Sequence, residues 1–169
     1  MIAPRKKNEL EQSQDMEPVA GTADVEIPVD ILWDCFNHPN WWPLWNKCFF
    51  WTLNKELIHG KNLVWMFQPI QWWYLYKMPA MAKIVILEPG SKVTWEVNVL
   101  PGFYALHTYH MEAIDQTTTR FGSREKAMGW NFRLMKKFWL THFEFVKDES
   151  LLGARHLEEI FHKTGELTK

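Results

Sequence analysis

The chain has no apolar run approaching the roughly 18 residues that a bilayer-spanning helix needs. Residues Met1 to Gln14 are polar and charged, without the basic-then-apolar order of a leader segment. The expectation is a soluble, cytoplasmic protein with no integral membrane association. Net charge is also lacking: 19 Lys and Arg stand against 20 Asp and Glu, which gives no overall field to attract nucleic acid or an anionic membrane. Cysteine is scarce. Cys35 and Cys48 lie in apolar contexts that suggest inert, buried thiols rather than a disulfide or a nucleophile. Catalytic and metal-ligand spacings are missing as well: there is no His-x-x-x-His, no Cys-x-x-Cys, no phosphate-cradling glycine loop and no Ser-His-Asp order. His107 and His110, three apart on a strand, point to opposite faces, and His156 and His162, six apart on a helix, share no ligand edge, so no metal is expected. What the chain has in excess is aromatic. Eleven Trp and eleven Phe exceed the needs of an ordinary core and are the side chains that line apolar pockets and interfaces.

A length of 169 residues suits one domain. Residues 1–17 hold almost nothing apolar and read as a loosely ordered tail, which leaves 18–169 as the folded unit. Val19, Ala23, Val25 and Ile27 follow in strand alternation until Pro28. Two short helical stretches come next, around Ile31 to Phe36 and Trp41 to Trp45. Strands are expected over Phe49 to Leu53, Leu63 to Gln68, Ala82 to Leu87, Val93 to Val99, Phe103 to Ile114 and Thr119 to Met128. From Trp130 to Lys163 the spacing turns helical, with Leu134, Phe138, Thr141, Phe145 and Leu152 as an apolar stripe flanked by Met135, Trp139, His142 and Val146. A straight helix of that length would reach roughly 50 Å, so a bend or break is expected near Gly153. The order predicts an α+β fold: a curved, seven-stranded antiparallel sheet wrapped around a long C-terminal helix, with two short helices after the first strand.

That order, and the residues within it, resemble the START-like superfamily, also called the Bet v 1-like or SRPBCC fold, and within it the polyketide cyclase/dehydrase and lipid-transport group. The resemblance runs from about Val19 to His162. Its carriers are Val25 to Asp30 before Trp33, then Trp42, Pro43 and Trp45, then Glu88, Pro89 and Gly90 before Trp95. Pro101, Gly102 and Phe103 before His107, and Thr118 to Phe121 before Glu125 and Gly129, complete them. The resemblance implies a helix-grip architecture with a cavity between sheet and helix for an apolar or aromatic small molecule. It implies no metal and no obligatory cofactor. The bulky insertion Trp72 to Tyr76 departs from the pattern and could cap or fill the mouth.

Strand parity sorts the polar candidates. His107 falls with the inward set of Phe103, Ala105, Tyr109 and Met111, and Glu125 shares parity with Phe121 and Ser123 on the next strand. The two could act as a catalytic acid–base pair or be a satisfied core pair. Candidate ligand-binding walls are Trp45, Phe50, Trp65, Trp95, Tyr109, Phe121, Phe138, Trp139 and His142. Three functions fit. One is a carrier or sensor of a hydrophobic lipid, acyl or polyketide-like ligand; another is a cyclase or dehydratase using His107 and Glu125. The third is an interaction module with a filled core, in which Trp72, Trp73 and Tyr76 support a homodimer.

Overall fold

The computed structural model describes residues 9, 10, 12–70, 77–98 and 100–167. Trp72, Trp73 and Tyr76, with the homodimer contact assigned to them, lie outside the described residues, as does Val99. Strand β1 (Val19–Val25) is followed by helix α1 (Val29–Phe36), a 3₁₀ turn (Pro39–Trp41) and the single-turn helix α2 (Trp42–Trp45). Strands β2 (Phe49–Thr52), β3 (Asn62–Phe67), β4 (Met78–Glu88), β5 (Lys92–Val97), β6 (Tyr104–Ala113) and β7 (Thr119–Met128) come next. A short helix α3 (Trp130–Leu134) and the long helix α4 (Lys136–Thr164) complete the described elements.

Every neighbouring pair of strands runs antiparallel, in the order β1-β7-β6-β5-β4-β3-β2, with β1 closing onto β7. Alternation along β6 and β7 puts His107, Tyr109, Ser123 and Glu125 on the concave face with the helix. Trp95, His107 and Glu125 stand in register across β5, β6 and β7, forming one row over the sheet.

Helix α4 is unbroken through Gly153; the interruption lies at Met135, where φ of −109° and ψ of 27° separate α3 from α4. Gly153 serves close approach rather than bending. A Cβ there would sit 2.6 Å from the Trp45 ring and nearer still to the Trp45 carbonyl, so α2 can rest on α4 only because the side chain is absent. The helix ends where Gly165 adopts the left-handed conformation and donates its N–H to the Phe161 carbonyl at 2.7 Å.

The face that α4 buries differs from the most hydrophobic stripe. Trp139, His142, Phe143, Val146, Ser150, Gly153, Ala154 and Leu157 are buried, whereas Leu134 is 78% and Leu152 60% exposed. The segment read as a loose tail also differs where it is described. Leu10 is fully buried beside Tyr104 and Leu106, and Met16 packs with Phe103 and Trp139. Asp15 accepts the Gly129 N–H at 2.9 Å and pairs with Arg133. Two apolar residues among charges have no periodicity to announce them.

Candidate functional site

The grip is filled at one end. Helices α1 and α2 push Phe36, Trp42 and Trp45 under the sheet, where Phe36 meets Tyr109 and Phe121, Trp45 meets Phe121, and Trp42 stacks on Trp95. Phe36 meets Tyr109 edge-on with centroids 5.0 Å apart, and Tyr109 stacks on Phe121 at 5.4 Å. A buried polar network locks this plug: Tyr109 Oη lies 2.6 Å from Ser150 Oγ, Asn46 Nδ2 donates to the same oxygen at 3.0 Å, and Ser150 also reaches the Val146 carbonyl. Such a network satisfies the polar groups that burial would otherwise penalise.

The other end holds a cavity of about 130 Å³. Trp65 and Phe67 of β3, Trp95 of β5, Phe103, and Trp139 and Phe143 of α4 wall it with rings. Ala80 and Ala105 leave the space that a larger side chain would occupy, and Met78, Pro79 and Leu100 also border it. An apolar cavity of about 150 Å³ accepts benzene, so one aromatic ring fits without displacing a wall.

Into this apolar shell come His107, Glu125 and His142. His107 Nδ1 lies 2.9 Å from Glu125 Oε1, but out of line for a directed hydrogen bond, so the oxygen keeps its acceptor capacity. His107 Nε2 lies 3.3 Å from Ser123 Oγ, and the ring packs on Trp95 with centroids 4.6 Å apart. His142 Nδ1 sits 2.5 Å from the Pro69 carbonyl, which can only accept. Nδ1 therefore carries the proton, and Nε2 of the neutral ring is an acceptor. Burial lowers the His142 pKa from 6.5; the Glu125 carboxylate and the Pro69 hydrogen bond oppose that shift, and His107 adds to it. Trp139 Nε1, buried on a wall residue, has no hydrogen-bond partner among the described residues. The polar end thus offers two acceptors and one indole donor.

Of the residues singled out in the sequence, Trp65, Trp95, Trp139, His142, His107 and Glu125 come together at the cavity. Trp45, Tyr109 and Phe121 belong to the plug, and Phe138 is half-buried beside Trp139 on the flank of α4. Phe50 points outward under Lys77, whose Nζ is 3.8 Å from the ring centroid, because a register shift between Phe49 and Trp51 turns Phe49 inward instead. Phe49, Phe67, Phe103 and Phe143 are wall residues that the sequence reading did not select. For Phe103, the parity shared with His107 was the available signal. Cys48 lines the cavity, but burial, with Glu149 and Glu125 nearby, raises its pKa well above the usual thiol value. Burial beside Asp34 pushes Cys35 up to about 12. Both are free and poorly suited to nucleophilic work. Away from the cavity, Glu26, Glu158 and His162 bring ligand-type atoms within 4.8 Å of one another at the surface, a pairing of β1's end with α4 that sequence spacing did not disclose.

No protein-family model matches the sequence, and no curated protein does. Solved structures do resemble the fold. The Zhui aromatase/cyclase from Streptomyces sp. R1128 superposes with a TM-score of 0.73 at 10% identity, over 88% of this chain and 97% of that one. Major latex-like protein 151 from Panax ginseng gives 0.61 at 14% identity over 85% and 96%. A START superfamily protein from Mycobacterium smegmatis gives 0.60 at 10% over 83% and 98%. At such identities the likeness speaks for architecture alone. With its seven-stranded grip around α4, the chain has the START-like, Bet v 1-like (SRPBCC) fold.

Proposed function

We propose that the chain binds a small apolar molecule built on one aromatic ring and bearing a hydroxyl or enol, as a carrier or sensor. The observation that supports this most is the composition of the cavity: walls of Trp and Phe around the acceptor atoms of Glu125 and neutral His142. Apolar burial supplies most of the affinity in such a site, and the few polar groups set orientation. A hydroxyl that donates to Glu125 or His142 also satisfies a buried acceptor, so a ligand lacking it is disfavoured. Calorimetric titration with phenol and with toluene tests this. Phenol is expected to bind at one site and more tightly than toluene, and Ala105→Leu, which fills the cavity, is expected to abolish binding while the protein stays folded. Failure of both probes, or unchanged binding in Ala105→Leu, would contradict the reading.

A second reading, a cyclase or dehydratase, is favoured by the convergence of His107, Glu125 and His142 on one apolar space. In it, Glu125 takes a proton from carbon next to a carbonyl, the C–H electron pair passes to the carbonyl oxygen as an enolate, and His107 serves as the acid that protonates that oxygen. Glu125→Gln would then remove turnover of a β-ketone probe and leave its binding intact. Parallel loss of binding and turnover favours the carrier.

A further inference from the structure

Helix α3 leaves a cluster of large apolar side chains in water. Trp130 is 56% exposed, Leu134 one turn later 78%, and Met135 at the break before α4 44%. The Trp130 indole lies across the turn between β5 and β6, so tightly that a Cβ on Gly102 would overlap it. That contact sets the ring on the turn that also carries Leu100, 38% exposed, and Phe103, both of which border the cavity. Phe132, on the opposite face of α3, is fully buried and anchors the helix to the domain. The exposed face is therefore rigidly presented rather than frayed.

The charge beside it is net positive. Lys136 and Lys137 follow Met135 directly and are exposed. Asp15, which pairs with Arg133, also attracts Lys136, and Glu144, one helical stretch further, pairs with Lys147, so the charge left beside the apolar face is positive. A tryptophan and two aliphatic side chains flanked by lysines is the combination that inserts at the headgroup boundary of an anionic bilayer: the rings and chains enter the interface, and the ammonium groups meet lipid phosphates. The near-zero net charge of the whole chain does not oppose this, because screening confines the attraction to the charges nearest the surface.

We infer that the face formed by Trp130, Leu134, Met135, Lys136 and Lys137 is a docking site for an anionic lipid bilayer, placed at the rim of the cavity. The inference is independent of what the cavity holds. It is tested by co-sedimentation of the full chain with phosphatidylcholine vesicles, with and without phosphatidylserine. Binding is expected only where phosphatidylserine is present, and high salt is expected to weaken it. Leu134→Ser, which removes a side chain that packs on little, should lower partitioning about tenfold. Lys136→Gln with Lys137→Gln should lower it about tenfold or more. Trp51→Ser, removing a half-exposed ring on β2, should leave it unchanged. No binding by folded protein, equal loss in Trp51→Ser, or indifference to the α3 and lysine variants would overturn the assignment. So would concentration-dependent dimerisation that Leu134→Ser abolishes, since the face would then belong to a second copy.

Discussion

Burial strips water from His142, which favours its uncharged ring and outweighs the opposing Glu125 carboxylate and Nδ1 bond to Pro69. Its folded pKa lies below 6.5, so between the two values the unfolded chain binds a proton that the folded chain refuses. Stability is then fully present above about pH 6.5 and is lost as pH falls toward the folded pKa. His110, half-buried over Gly122, is shifted the same way by burial and adds to the slope. Thermal melts between about pH 7 and pH 5 should therefore show a falling midpoint. His142→Asn, which keeps a donor for Pro69, should flatten part of that fall; an unchanged slope would place His142 in solvent. Residue parity made His107 and Glu125 legible, because alternation along a strand is local. Parity does not say which end of the sheet a ring occupies. That is set by α1 and α2 wedging against Tyr109 and Phe121, a long-range fact, and so those two rings joined the plug. Phe50 was undecidable for another reason, since a four-residue strand carrying a register shift has no parity to read.

Helix α4 shows the same division at the scale of an element. Its existence and its glycine stop were plain from spacing, yet its buried face was not, because that face carries Ser150, Gly153, Ala154 and His142 in place of the largest aliphatics. Each is there for a partner rather than for hydrophobicity: Ser150 for Tyr109 and Asn46, Gly153 for Trp45. Gly153→Ala tests the point. In an unconstrained helix Ala would be favoured by about 1 kcal/mol. Here the new methyl meets the Trp45 backbone and ring, and overpacking of this kind costs about 1–3 kcal/mol. Because backbone cannot swing aside, the clash should win. The net loss of up to about 2 kcal/mol lowers the melting midpoint by up to about 8 °C, and a rise would show that α2 stands off from α4. The break at Met135 escaped the sequence reading because no Gly or Pro marks it.

Across the whole molecule, seven antiparallel strands and one helix make a grip whose two ends do different work. Helices α1 and α2 fill one end and make it rigid; Ala80 and Ala105 keep the other open, with polar groups from both sheet and helix at its wall. Among the described residues no helix is long and apolar enough to cross a membrane, which is compatible with the peripheral docking inferred for α3. A cavity of about 130 Å³ limits the ligand to about one ring unless the walls move, so a two-ring phenol should bind more weakly than phenol or force Trp139 aside. Ligand position is the central claim, and NMR reads it directly. On titration with phenol, the indole N–H of Trp139 and the imidazole signals of His107 and His142 should shift together and saturate at one equivalent, with the Trp139 proton moving downfield as its unpartnered donor finds an acceptor. Shifts confined to the exposed indoles of Trp51 and Trp130, with Trp139 and the two histidines unmoved, would contradict it.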